Sequence, residues 1–184
     1  MEKELIKFLG ITFGIVTIVL IAVTFFVDLG TVKFTHSGVT LYNMNTTFFG
    51  TIYNGQLNSW SNYTKVLSGS SLSKANTGID MIYASMATMI IAAIFAIIGI
   101  VTVFGKTSKI MKKMAYIAPL VSAILIIVTI VLYYEGAVTL INASPYSSIL
   151  TTTISLAIGA YLAIVAVITE FLAAGINILS GSKN

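Results

Sequence analysis

The residues able to do chemistry are few and lie far apart. The chain has six acids (Glu2, Glu4, Asp28, Asp80, Glu135 and Glu170), one histidine (His36), ten lysines, no arginine and no cysteine. Without cysteine there is no disulfide, zinc–thiolate site, iron–sulfur cluster or thiol nucleophile. A lone histidine cannot supply both axial ligands of a haem. A metal at His36 would find Asp28 as the only acid near it in sequence. No serine is spaced from a histidine or lysine base as a hydrolase requires, and no Gly-rich phosphate loop is present. No catalytic, cofactor-binding or metal-ligating residue is nominated, no cofactor is implied, and the chain is expected not to be an enzyme.

Glu170 stands apart because an apolar segment surrounds it. Ionisable residues inside a membrane helix are costly and raise a functional hypothesis by default. Counted from Ile149 at about 1.5 Å per residue, the hydrocarbon is already spanned by Ile168. That register puts Glu170 at the inner interface, where Lys7, Lys112 and Lys113 reach down from their helix ends. A structural ion pair or interface position is the expectation, and a buried proton or cation site is the alternative.

The elements that position these residues follow from composition. Hydrophobic residues make up 57% of the chain and charged residues 9%, against about a quarter charged in ordinary soluble domains. Nucleic-acid-binding and disordered classes are excluded, since both need more charge. Four stretches carry the roughly 20 apolar residues that cross a bilayer as a helix. The expected fold is therefore an all-α membrane protein: a four-transmembrane-helix bundle with a small extracellular antiparallel β-sheet in the first outer loop. Residues 1–184 form a single membrane domain. Its parts are helix 8–27, outer loop 28–78, helix 79–104, inner turn 105–113, helix 114–134, outer loop 135–148 and helix 149–179. The first apolar run exceeds a signal-peptide core and lacks a small-x-small cleavage site, so it reads as a retained anchor.

Charge orients the bundle, because cytoplasmic loops keep lysine. Lys3, Lys7, Lys106, Lys109, Lys112, Lys113 and Lys183 fall on one side, and Lys33, Lys65 and Lys74 on the other. Both termini are expected to be cytoplasmic, with 28–78 and 135–148 extracellular. Three N-glycosylation patterns, at Asn45, Asn62 and Asn142, lie in those outer loops. Asn142 is the poorest candidate, because Pro145 follows its serine.

Local signals set the boundaries. Thr77-Gly78-Ile79-Asp80 has capping-box spacing, and Ser144-Pro145 suits an N-cap with proline in the first turn. Gly105 fits a helix C-terminus, Ser108 could cap the next helix, and Tyr133 and Tyr134 suit the headgroup level. Residues 32–36 and 39–43 alternate around Ser37-Gly38, and Asn54-Gly55 follows the β-prone run 46–53. Trp60 either anchors this loop to headgroups or fills the core of the sheet. Residues 68–73 read as a mobile link. From Leu29 to Gly78, 21 of 50 residues are Ser, Thr or Asn and none is acidic.

Small residues mark the packing faces. The first helix has Gly10 and Gly14, and the second has Ser85, Thr88, Ala92, Ala96 and Gly99. The fourth carries Thr152, Ser155, Gly159, Ala163, Ala166, Glu170, Ala173 and Asn177. Ordinary bundle packing is expected for them, with a pore or substrate lining as the alternative. Pro119 is expected to kink the third helix.

This plan resembles that of claudins and the peripheral-myelin-protein-22 group: cytoplasmic termini, a large β-rich first outer loop, a short cytoplasmic turn and a smaller second outer loop. The likeness is of topology; of the family's tryptophan–cysteine–cysteine motif only Trp60 stands. It implies a left-handed four-helix bundle whose outer sheet makes contacts. The expected function is that of a non-enzymatic accessory or structural subunit, or a surface-contact protein, in a larger assembly. The alternatives are a small oligomeric channel or transporter using the fourth-helix polar stripe, and a cofactor-free subunit of a membrane enzyme. Expected partners are the lipid bilayer, other membrane subunits and copies of itself, with no nucleic acid. Isoleucine at 28 of 184 residues and lysine without arginine suggest an AT-rich, archaeal or archaeal-virus source.

Overall fold

A computed structural model describes residues 2–65, 67–104, 108–144 and 149–182. The elements in order are α1 (Glu2–Thr24), β1 (Gly30–His36), β2 (Val39–Thr46), β3 (Gly50–Tyr53), β4 (Gln56–Ser59), α2 (Trp60–Thr64), α3 (Gly69–Phe104), α4 (Lys109–Asn142), β5 (Thr151–Leu156) and α5 (Ile158–Ser182). The helices α1, α3, α4 and α5 are long and apolar enough to cross a membrane. Contacts divide the chain into two compact units. One holds Met1–Val23, Ala87–Val128 and Leu162–Asn184; the other holds Thr24–Met86 and Thr129–Tyr161.

The first unit is helical, and its buried stripes follow the helical repeat. On α1 the buried positions are Gly10, Gly14, Thr17 and Ile21; on α3 they are Met89, Ala92, Ala96 and Gly99. Large apolar side chains such as Ile94, Ile97, Val101, Ile124 and Ile127 are exposed instead. Small residues inside and large apolar ones outside is the pattern of helices that meet by close approach in lipid.

The second unit holds a five-stranded antiparallel sheet in the order β4-β3-β2-β1-β5. Its two tight turns are Ser37-Gly38 and Asn54-Gly55, with φ of 50° and 81° in the first and 49° and 76° in the second. Paired left-handed residues match the twist of a two-residue hairpin. β2 pairs with β1 along its whole length, but with β3 only at Asn45 and Thr46. The core of this unit gathers Leu29, Phe48, Trp60, Ile79, Ile82, Tyr133 and Leu140. Trp60 is 2% exposed and its Nε1 donates to the Phe48 carbonyl oxygen at 3.0 Å. Of its two expected roles, it fills the core.

Several boundaries differ from those expected. The largest difference is at 149–179, where the expected helix is divided: residues 151–156 are the strand β5, paired with β1 from Gly30↔Leu156 to Thr35↔Thr151. Thr-Thr-Thr-Ile-Ser-Leu is β-branched and alternates in burial, which a pleated surface favours; mean hydropathy hides that alternation. Thr152 and Ser155 therefore leave the helical stripe. The sheet is thus completed by a strand from outside the first loop. α3 begins at Gly69, so 68–73 is not a free link and Thr77 is no N-cap. The Thr77 hydroxyl donates to the Ser73 carbonyl at 3.1 Å inside the helix. Ala75, Ile79 and Ile82 bury one face of that extension in the core, and such packing outweighs weak local propensity.

α4 likewise starts at Lys109 and runs past Tyr134 to Asn142, because Ala137, Leu140 and Ile141 are buried. Tyr133 is consequently a core residue, edge-on to Phe48 at 5.6 Å, while Tyr134 is exposed. At the start of α4, Ser108 Oγ accepts from the Met111 N–H at 3.1 Å, as a cap does. Within this unit α3 and α4 meet at two glycines. A Cβ on Gly78 would lie 2.7 Å from the Gly136 carbonyl oxygen, and one on Gly136 would lie 2.7 Å from that of Gly78. Gly105, Lys106, Pro145 and Lys183 lie outside the described residues.

Candidate functional site

The buried polar side chains of the helical unit form two clusters, each built across its helices. The first begins with Pro119, inside α4. Proline has no N–H, so the carbonyl four residues earlier, on Ala115, loses its helical donor. Asn177 on α5 replaces it: its Nδ2 donates to the Ala115 oxygen at 2.8 Å. Gly10 on α1 makes room, since a Cβ there would lie 2.5 Å from Asn177 Oδ1. Gly99 on α3 does the same for the proline ring, whose Cγ would lie 2.9 Å from a Cβ. Asn177, part of the suggested polar lining, therefore compensates a backbone group, and Gly10 and Gly99 serve close packing.

The second cluster centres on Glu170. Because α5 starts at Ile158, Glu170 is the middle residue of a 25-residue helix, and its side chain is fully buried. The helical count from Ile149 does not apply, since residues 151–156 are the strand β5. The expected lysine partners are elsewhere. Lys7 bridges to Glu4 on its own helix at 3.2 Å, and Lys112 and Lys113 are exposed. Among the described residues no cation faces Glu170.

Hydroxyl groups face it instead. Ser122 on α4 contacts Glu170 Oε1 at 3.3 Å and the Ala92 carbonyl on α3 at 2.9 Å. Thr17 on α1 lies beside the carboxyl group, and its Oγ1 is 2.7 Å from that of Thr169 on α5. Glu170 Oε2 has no hydrogen-bond partner among the described residues. Sequence reading missed Thr17, Ser122 and Thr169. The traceable signal was Thr17 continuing the Gly10–Gly14 face in steps of three and four; a lone serine in an apolar helix gives none.

The remaining residues singled out in the sequence are dispersed. Gly14 faces Ile100, whose Cγ1 would lie 2.6 Å from a Cβ. Ala92, Ala96, Ala163 and Ala166 are buried. Gly159 opens α5 against residues 27–29, donating its N–H to the Asp28 carbonyl at 2.8 Å. Of the glycosylation candidates, Asn62 and Asn142 are exposed, whereas the Asn45 amide nitrogen donates to Asp28 Oδ2 at 2.7 Å. The nitrogen that would carry a glycan is thus already engaged at Asn45. His36 is exposed, with Nδ1 3.2 Å from the Ile149 carbonyl.

One face of the sheet is polar across three strands. Alternation places Thr31, Lys33 and Thr35 of β1 beside Asn43 and Asn45 of β2 and Thr151, Thr153 and Ser155 of β5. The opposite face carries Val32, Phe34, Met44 and Ile154 and is packed on Ile141. Lys33 is the one charged residue among these strand positions, and the Asp28 carboxylate meets the face at Asn45. No protein-family model matches the chain, and neither does any curated protein.

Proposed function

We propose that this chain is a non-enzymatic integral membrane protein whose sheet is a contact surface, serving as an accessory or structural subunit of a larger assembly. The observation that carries this reading is the broad hydrogen-bonding face on β1, β2 and β5, whose strand positions are Thr, Asn and Ser apart from Lys33. Uncharged Thr, Asn and Ser side chains favour binding over catalysis: they donate and accept without changing protonation. The element order supports a claudin-like tetraspan layout, with α1, α3, α4 and α5 as the membrane helices. Lysine distribution supports cytoplasmic termini and an extracellular sheet.

Gentle purification of the full chain in mild detergent, with measurement of the assembly mass, tests the reading. An oligomer or a stable complex is expected, and Lys33→Glu with Thr153→Glu should dissociate it while the helical content is retained. A monomer without partner, or an assembly indifferent to both charges, refutes it. For the topology, a membrane-impermeant thiol reagent on intact cells should label Asn62→Cys and spare Lys112→Cys.

A further inference from the structure

The Glu170 cluster has more polar contacts than hydrogens to fill them. Thr17 Oγ1 contacts the Phe13 carbonyl at 3.1 Å and Thr169 Oγ1 at 2.7 Å; Thr169 Oγ1 also contacts the Ala166 carbonyl at 2.8 Å. Ser122 Oγ contacts the Ala92 carbonyl and Glu170 Oε1. These five contacts share only three hydroxyl hydrogens, one per hydroxyl. When the three hydroxyls serve the backbone carbonyls, as Ser and Thr in helices do, their remaining lone pairs turn toward each other and toward the carboxyl group. The cluster is then rich in acceptors and poor in donors, and it contains a buried carboxyl oxygen with no partner. A buried charge needs compensation, and among the described residues no lysine or histidine supplies it.

We propose that Glu170, Ser122, Thr17 and Thr169 form a site for a small monovalent cation of sodium type, which exchanges with a proton on the Glu170 carboxyl group. All the ligands are hard oxygens, which suits an alkali cation over a transition metal. One carboxylate balances one positive charge, whereas a divalent ion would leave the site positive in apolar surroundings. Around Glu170, Thr17 on α1 and Ser122 on α4 do not titrate, and no charged group faces it from α1, α3 or α4 among the described residues. The proton-for-cation exchange is therefore centred on a single titrating group. The site is independent of the sheet and stands whether or not the sheet is a contact surface.

A lipophilic carbodiimide, which adds to a protonated carboxyl group and raises the mass by one reagent, reads the site in the purified full chain. In choline chloride one adduct is expected on the peptide holding Glu170, and none on that peptide in Glu170→Gln. Replacing choline by sodium at equal ionic strength should slow the reaction about tenfold, as occupancy by a ligand does. Ser122→Ala should keep the adduct and lose much of the sodium protection, separating loss of a ligand from loss of the fold. Failure to label Glu170 in choline at any pH overturns the proposal. So does labelling at equal rates in sodium and choline.

Discussion

The pairing of Pro119 with Asn177 makes a sharp energetic prediction. In Asn177→Leu the Ala115 carbonyl loses its donor, at 2.8 Å, while Pro119 still withholds the helical one. A buried carbonyl left in that state costs about 1–3 kcal/mol. In Pro119→Ala the residue at 119 regains an N–H, and the Ala115 oxygen regains its helical partner. Adding Asn177→Leu to that background should then cost about 1 kcal/mol or less, from packing alone. Other contacts of Asn177 are lost in both backgrounds and cancel. The coupling energy between the two sites is therefore expected to be about 1–3 kcal/mol, within the range for groups sharing a partner. Reversible unfolding of the four proteins in mixed micelles, followed by helical ellipticity, measures it. If Asn177→Leu costs the same with proline or alanine at 119, the compensation argument is wrong.

Three further tests address other parts of the fold. Gly78→Ala should destabilise by about 1–3 kcal/mol, since its Cβ would meet a backbone oxygen and the helices must separate. Gly175→Ala has nothing within 4 Å of its Cβ and should stabilise by up to about 1 kcal/mol through helix propensity; thermal unfolding showing the same sign for both would count against the close approach. Trp60 is the only tryptophan, so indole emission, excited selectively over tyrosine, should be blue-shifted in the folded protein and absent in Trp60→Phe. That variant should also lose about 1–3 kcal/mol with its hydrogen bond and ring volume; emission typical of exposed indole would refute the core placement. Finally, Lys33→Cys with Thr153→Cys should form a disulfide in this cysteine-free chain, because the two positions are register partners. Faster oxidation of the pair at 33 and 155 would show that β5 is misregistered.

The four apolar helices were legible because a membrane imposes length and hydropathy on the chain itself. The first-loop hairpins were legible for an equally local reason: Ser37-Gly38 and Asn54-Gly55 declare their own backbone geometry. The misreadings arose where a distant partner decides the conformation. Residues 151–156 extend because β1 offers them an edge, and residues 69–78 are helical because Ala75 buries against a core assembled from elsewhere. Tyr133 has the residue type of a headgroup anchor, but α4 continues past it and presents it to Phe48. Glu170 is exceptional by type, but its place in the helix depends on where α5 begins. Its hydroxyl neighbours come from α1 and α4, and no periodicity along one helix could have named them.

The pairing of β1 with β5 also orders events during synthesis. Thr35 and its partner Thr151 are separated by both α3 and α4, so β1 emerges long before the strand that covers its second edge. Throughout that interval the edge carries unpaired N–H and C=O groups, which template wrong pairings as readily as the right one. Closing a loop of that length adds entropy cost only slowly, so the delay is one of timing more than of energy. A nascent chain released before residue 151 is left with a sticky, uncompleted sheet. Arrival of β5 therefore marks completion of the sheet, with α5 following after a single residue.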